Sequence, residues 1–170
     1  MRILLSFGLT GLVAAPALAA DLEISVEIPK LDVAEYHKPY VAIWLERPDQ
    51  SVAANLAVWY DVANAKQEGD KWLKDLRQWW RRAGRNVTVP ADGLTSATRA
   101  PGAHAIKFED GHAALKALAP GEYQLIVEAA REVGGREVVK IPLHWPPEKG
   151  AALNGKGEHE LGTVAVTVKP

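Results

Sequence analysis

Between Asp21 and Ile28 the chain alternates without a break. Leu22, Ile24, Val26 and Ile28 take one side, and Asp21, Glu23, Ser25 and Glu27 take the other. Successive side chains of an extended backbone point to opposite faces, so this alternation specifies a half-buried strand, and Pro29 closes it. The same grammar recurs along the chain. Tyr40 to Glu46 and Asn55 to Asp61 are β-branched and aromatic runs joined by Arg47 to Ala54, where Pro48-Asp49 signals a turn, and they read as a hairpin. Its two tryptophans, Trp44 and Trp59, either pair across the ladder or face the core. Ala103 to Phe108 is a further strand. Glu122 to Arg131 follows the turn at Pro120-Gly121, with Tyr123, Leu125, Val127 and Ala129 on one face. Gly134-Gly135 turns the chain into Arg136 to Trp145, whose Pro142 cannot donate to a ladder and so belongs at a sheet edge or at a position whose N–H would face away from the ladder. After a polar loop from Pro146 to Gly157, Leu161 to Val168 closes the fold with Val164, Val166 and Val168 inward.

One segment breaks this rhythm. Asp70 is placed to cap a helix from Lys71 to about Ala83, because Trp72, Leu73, Leu76, Trp79 and Trp80 recur at helical spacing and Gly84 follows as a stop. Lys71, Lys74, Arg77, Arg81 and Arg82 occupy its other side. The plain reading is an amphipathic helix docked on the core, and the sharper one is a cationic surface that recruits an acidic partner. Seven or so short strands, one inserted helix and no strand–helix–strand alternation predict a mainly β fold, a two-sheet immunoglobulin-like or transthyretin-like sandwich. A closed barrel is the alternative, since strand spacing does not separate the two.

The beginning of the chain reads as an address. Arg2, the apolar run Ile3 to Val13 and the small-x-small sequence Ala17-Leu18-Ala19 make a signal peptide of residues 1–19, which leaves one exported domain over residues 20–170. The expected location is an exported compartment. The chain holds no cysteine, so disulfides, thiolate chemistry, iron–sulfur clusters and lipid attachment through cysteine are excluded. Its 20 basic residues against 21 acidic ones make nucleic acid an improbable partner.

Hydrolase signatures are missing from the chain: there is no G-x-S-x-G, no H-E-x-x-H and no Walker loop. The five histidines, His37, His104, His112, His144 and His159, are scattered singly. Attention therefore falls on the stretch from Val87 to Gly102, rich in Thr, Ser, Pro and Gly, which reads as the long loop of the domain. Within it runs Asp92-Gly93-Leu94-Thr95-Ser96-Ala97-Thr98. A hydroxyl can be esterified through phosphate to a flavin mononucleotide when it is exposed and flanked by small residues on yielding backbone, and Thr98 has those neighbours.

This stretch resembles the acceptor motif of FAD:protein FMN transferases, in which an acid precedes Ser/Thr-Gly-Ala-Thr and the last Thr carries the flavin; Ser96 stands here in place of the Gly. The resemblance marks Asp92, Thr95, Ser96, Ala97, Thr98 and Arg99 as the cofactor-binding set. A wider resemblance is carried by Tyr40-Val41-Ala42-Ile43-Trp44, Trp72-Leu73, Trp79-Trp80, Ser96 to Gly102, Gly121-Glu122-Tyr123 and Glu128-Ala129-Ala130-Arg131-Glu132. Together these look like the bacterial domain-of-unknown-function family 2271. That resemblance implies a periplasmic protein in the company of flavin transferases and PepSY-type membrane reductases, hence an electron-transfer setting. The expectation is a redox accessory protein with FMN joined to Thr98, Arg99 offsetting the phosphodiester charge and a tryptophan stacked on the ring. In a structural reading of the same region, Arg99 braces the Pro101-Gly102 turn through Glu128 or Glu132. The alternative function is a non-catalytic periplasmic binding module that docks a partner or holds a metal or haem.

Overall fold

The computed structural model describes residues 20–63 and 68–170, so the expected signal peptide lies outside the described residues. Among the described residues nine strands follow in chain order: β1 (Asp21–Ile28), β2 (Tyr40–Glu46), β3 (Val52–Tyr60), β4 (Thr95–Ala97), β5 (Gly102–Phe108), β6 (Gly121–Ala130), β7 (Arg136–Trp145), β8 (Ala151–Lys156) and β9 (Thr163–Lys169). They form a four-stranded sheet in the order β5-β1-β9-β8 and a five-stranded sheet in the order β4-β3-β2-β6-β7. The two sheets stay separate, each with its own edges, so the fold is a β-sandwich and the barrel alternative falls away. All pairs are antiparallel except β3 with β4, which run parallel.

The alternation of β1 does what it predicted: Leu22, Ile24, Val26 and Ile28 are buried between the sheets. Val164, Val166 and Val168 of β9 join them from their own sheet. Opposite stand Val41, Ile43 and Leu45 of β2 and Tyr123, Leu125, Val127 and Ala129 of β6. Pro142 lies in β7, an edge strand, where a missing N–H costs no ladder bond.

The five-stranded sheet is buried on its outer face as well. Ala42, Trp44, Val58, Tyr60, Ile126 and Ala130 form a second core under Leu73, Leu76 and Trp79. This explains why β2 shows no alternation between buried and exposed residues. A register shift between Ile43 and Trp44 sets Trp44 opposite Asn55 and leaves Trp59 opposite Val41. Strand alternation puts Val41 and Trp44 on opposite faces, so the two tryptophans face different cores, Trp44 outward and Trp59 inward, and do not pair across the hairpin.

The predicted helix over 71–83 is broken. Residues Gly69–Asp75 form a 3-10 helix, Leu76 leaves helical geometry with ψ at 69°, and α1 spans only Arg77–Arg82. The break has a chemical cause in β6. Glu128, fully buried, accepts hydrogen bonds from the backbone N–H groups of Gln78 (3.0 Å) and Trp79 (2.7 Å), which are among the orphan donors of the first turn of α1. Arg136 Nε donates to the same carboxylate at 2.5 Å. Asp70 lies inside the 3-10 helix, whose N-cap is Glu68, and among the described residues it makes no capping hydrogen bond, so its predicted role is corrected: α1 is capped from a strand fifty residues away. Gly84 is not the stop expected from sequence: α1 ends at Arg82, and Gly84 opens a further 3-10 turn, Gly84–Asn86, where glycine serves for space rather than for left-handed backbone. A Cβ there would stand 2.7 Å from the Trp79 ring and 2.8 Å from that of Trp80.

Two other expectations change. The stretch Val87 to Gly102 is not one long loop, because Thr95–Ala97 adds β4 to the sheet beside β3. Likewise the polar segment Pro146 to Gly157 contains β8, whose Gly155 leaves room for Val139 of the facing sheet. A short helix α2 (Ala113–Lys116), capped by His112 Nδ1 accepting from Ala114 N–H, follows β5 and was not anticipated.

A second carboxylate ties the sheets together at one end. Glu137 of β7 accepts hydrogen bonds from four successive backbone N–H groups, those of Glu158, His159, Glu160 and Leu161, in the connection leading to β9. Burial alone would raise its pKa, but the four donors outweigh that and hold it below the ordinary value of 4.5. A depressed carboxylate pKa contributes stability that is complete above the unfolded value and is lost as pH falls through the folded one. Below about pH 4.5, the pH dependence of stability in Glu137→Gln should therefore be shallower than in the wild type when followed by urea unfolding. Glu128→Ala strands the Arg136 guanidinium and two helix N–H groups, and is expected to cost about 3–5 kcal/mol in the same assay.

Candidate functional site

At one end of the outer layer the elements leave a cavity of about 310 Å³. Tyr36, His37 and Lys38 come from the irregular segment between β1 and β2, Tyr40 from the start of β2 and Asp61 from the end of β3. Trp72 and Asp75 belong to the 3-10 helix, while Ala130, Arg131 and Glu132 leave β6 for its hairpin turn. Thr98 completes the wall just beyond β4. Aromatic surface thus meets a hydroxyl and charges of both signs in one concavity.

Thr98 is half-buried, and its backbone N–H donates to Tyr60 C=O at 3.2 Å, so it is anchored to a sheet edge rather than carried on a free loop. Among the described residues no side-chain hydrogen bond engages its hydroxyl. Thr95 differs. Its Oγ1 accepts from Ala91 N–H at 2.9 Å and donates to Ala91 C=O at 3.0 Å, which closes the turn ahead of β4. Ser96 sits inside β4 with no positive φ, so extended backbone serves at this position and a glycine is not required. Ala97 is exposed at the end of β4, and Asp92 is exposed in the preceding turn, where Gly93 takes φ of +73°.

Arg99 does not share the cavity with Thr98. Its guanidinium lies over the Trp59 ring, 5.3 Å from the centroid, and Nη2 donates to Ser96 Oγ at 3.3 Å. The brace to Glu128 or Glu132 expected from sequence is not formed, since Glu128 is taken by α1 and Arg136, and Glu132 lies near His37.

The residues sequence reasoning passed over are Tyr36, Tyr40 and Arg131, and Trp72 was assigned to the wrong face. Trp72 is 46% exposed, with Lys74 Nζ 5.7 Å from its ring centroid, instead of packing inward with Leu73. Arg131 forms a two-point pair with Glu160, Nε to Oε2 at 2.9 Å and Nη2 to Oε1 at 3.0 Å, and Gly135 N–H donates to the same carboxylate at 2.8 Å. The pair holds the guanidinium charged, its pKa raised first by the hydrogen bonds to Glu160. Burial is the leading cause that raises the Tyr36 and Tyr40 phenols, so both remain protonated donors at neutral pH.

The hairpin turn is built around that pair. A Cβ on Gly134 would run into the Arg131 guanidinium, and one on Gly135 would stand 2.7 Å from Glu160 Oε1. Neither glycine has a positive φ; the left-handed residue is Val133, at φ of 51° and 75% exposed. Gly134-Gly135 is therefore needed for space, not for a glycine-only turn.

The histidines do not assemble. His37 pairs with Glu35, His104 packs edge-on to Trp59, His112 caps α2, His144 pairs with Glu122, and His159 lies beside Glu158. Among the described residues no three His, Cys, Asp or Glu side chains converge in a metal-holding group. Nor, among the described residues, is any helix long and apolar enough to cross a membrane.

Gly135→Ala should cost about 1–3 kcal/mol by driving a methyl into Glu160. Val133→Asn, which suits left-handed backbone better than a β-branched residue, should gain about 1 kcal/mol; urea unfolding of both variants reads the outcome.

A family model described as "Predicted periplasmic protein (DUF2271)" matches residues 21–163. No curated protein and no solved structure matches the chain.

Proposed function

The chain belongs to the DUF2271 family of predicted periplasmic proteins, and from that premise we propose that it is an accessory protein of a membrane-linked redox system, an electron carrier with FMN joined by a phosphoester to Thr98. The observation that carries the reading is the position of Thr98: its unengaged hydroxyl borders a cavity walled by Tyr36, Tyr40 and Trp72. Thr95, three residues earlier, has already spent its hydroxyl on Ala91. The cavity's 310 Å³ lies at the lower end of the range of about 300–1,000 Å³ for small-molecule sites. Tyr36, Tyr40 and Trp72 would hold the ring system there, with Thr98 as the point of attachment.

When bound, a flavin supplies one- and two-electron transfer. The protein's own work is to tether it, present aromatic faces, keep two phenol donors protonated and set the local charge. Attachment is work for a flavin transferase, which moves FMN from FAD to the Thr98 oxygen with release of AMP. Electrons then come from a membrane reductase. Arg99, stacked on Trp59, supports the backbone that presents Thr98 rather than touching the cavity.

The second reading, a docking module without a covalent cofactor, draws on the cationic side of the helical layer. Lys71, Lys74, Arg77, Arg81 and Arg85 are exposed there, as is Trp72, with Lys74 near its ring. Its metal form finds no support in the dispersed histidines.

Co-expression with an FAD:protein FMN transferase tests the carrier directly. The wild-type protein should gain the mass of one FMN and absorb visible light, Thr98→Ala should do neither, and Thr95→Ala should retain both while losing about 1 kcal/mol of stability. A colourless wild-type protein of unmodified mass would contradict the carrier.

A further inference from the structure

Two side-chain atoms are buried without a hydrogen-bond partner among the described residues: Tyr36 Oη and Arg131 Nη1. Both belong to residues that line the cavity beside Thr98. An unpaired buried donor is costly, and two at one place mark a site that something else completes. Arg131 is not simply a surface group caught in a fold, since its side chain is only 7% exposed. Its Nε and Nη2 are matched to Glu160, so its charge is balanced and what remains is one directed N–H. Tyr36 adds one O–H. The cavity also holds Lys38 against Asp61, Asp75 and Glu132, a balance that does not attract a free anion. A flat, neutral ligand with hydrogen-bond acceptors along one edge fits these facts better.

We infer that Arg131 Nη1 and Tyr36 Oη receive the pyrimidine-dione edge of the flavin ring, donating to its N1 and C2 carbonyl oxygen. This rests on the proposed carrier function and adds to it the orientation of the ring and a control on its potential. Both donors are covered in the present conformation, and Tyr36 stands on the segment 29–39, which has neither strand nor helix. A local shift of that segment would uncover both donors toward the cavity and leave the sandwich intact. Uptake of two electrons from the reductase and one proton from solvent leaves one negative charge spread over N1 and the C2 oxygen. Donors aimed at that edge bind the reduced ring more tightly than the oxidised one, which raises the potential.

The test compares flavin-loaded wild type, Tyr36→Phe and Arg131→Lys, with intact mass reading attachment and a spectroelectrochemical titration reading the seat. Tyr36→Phe removes only an unpaired hydroxyl, so the protein without flavin should melt no lower than wild type and gain the full FMN mass. Its equilibrium constant for reduction should fall about tenfold, about 30 mV for a two-electron couple. Arg131→Lys, which keeps the charge but loses the fork, should shift it in the same direction; because it also disturbs Glu160, the phenylalanine variant decides if the lysine one does not fold. Full mass gain with a wild-type potential and flavin spectrum in Tyr36→Phe overturns the inference and leaves the carrier standing. A lower melting temperature of flavin-free Tyr36→Phe also overturns it, by showing that the hydroxyl was already satisfied. No mass gain in the wild type removes the carrier and the inference together.

Discussion

The five-stranded sheet is buried on both faces, and this condition shapes most of what distinguishes the molecule. Its inner face closes the sandwich against β1 and β9, as in any two-layer β fold. Its outer face carries Trp44, Val58, Tyr60 and Ile126, which would be an apolar surface in water if nothing covered it. The segment 69–86 is that cover. It is held by apolar contact through Leu73, Leu76 and Trp79, and by Glu128, whose buried carboxylate is satisfied by Arg136 and two helix N–H groups. Trp79 and Trp44 bury their indole rings and still find acceptors, Asn55 Oδ1 and Glu46 Oε1, each at 2.9 Å. A short, irregular cover leaves a gap at its end, and that gap is the cavity where Thr98 stands.

The same logic governs the hairpin beyond β6. Arg131 and Glu160, both nearly buried, link the turn to the connection before β9, while Glu137 gathers four backbone amides of that connection. Two glycines make room for the ion pair, and Val133 absorbs the left-handed turn. This end of the sandwich is thus fixed by polar groups satisfied by one another, and the residual donor on Arg131 is left over from an otherwise complete network. The cavity therefore has a rigid, polar-braced wall on one side and an irregular segment on the other.

How much of this was legible in the sequence depended on whether the signal was local. The strands β1, β6 and β9 and the β6–β7 hairpin were readable because the inner face repeats every second residue. The break at Leu76 was not, since its cause, Glu128, is fifty residues away and helical spacing of Leu73, Leu76 and Trp79 is compatible with both 3-10 and α geometry. β4 escaped notice as three small polar residues whose strand character comes only from pairing with β3. β8 was hidden by Asn154 and Gly155, where the facing Val139 demands a residue without Cβ. Thr98, which the structure places on the cavity wall, was singled out through the chemistry of its neighbours. Tyr36, Trp72 and Arg131 were not, because the cavity draws on several distant segments that share no spacing, and only the folded chain brings them together.

Peptide mapping by tandem mass spectrometry, on protein co-produced with a flavin transferase, tests the central claim most directly because it names the modified atom's residue. The account predicts an FMN phosphoester on the peptide containing Thr98, with fragment ions that assign it to that threonine. An FMN located on Thr95, Ser96 or any other residue would contradict it, and would detach the cavity from the chemistry assigned to it here.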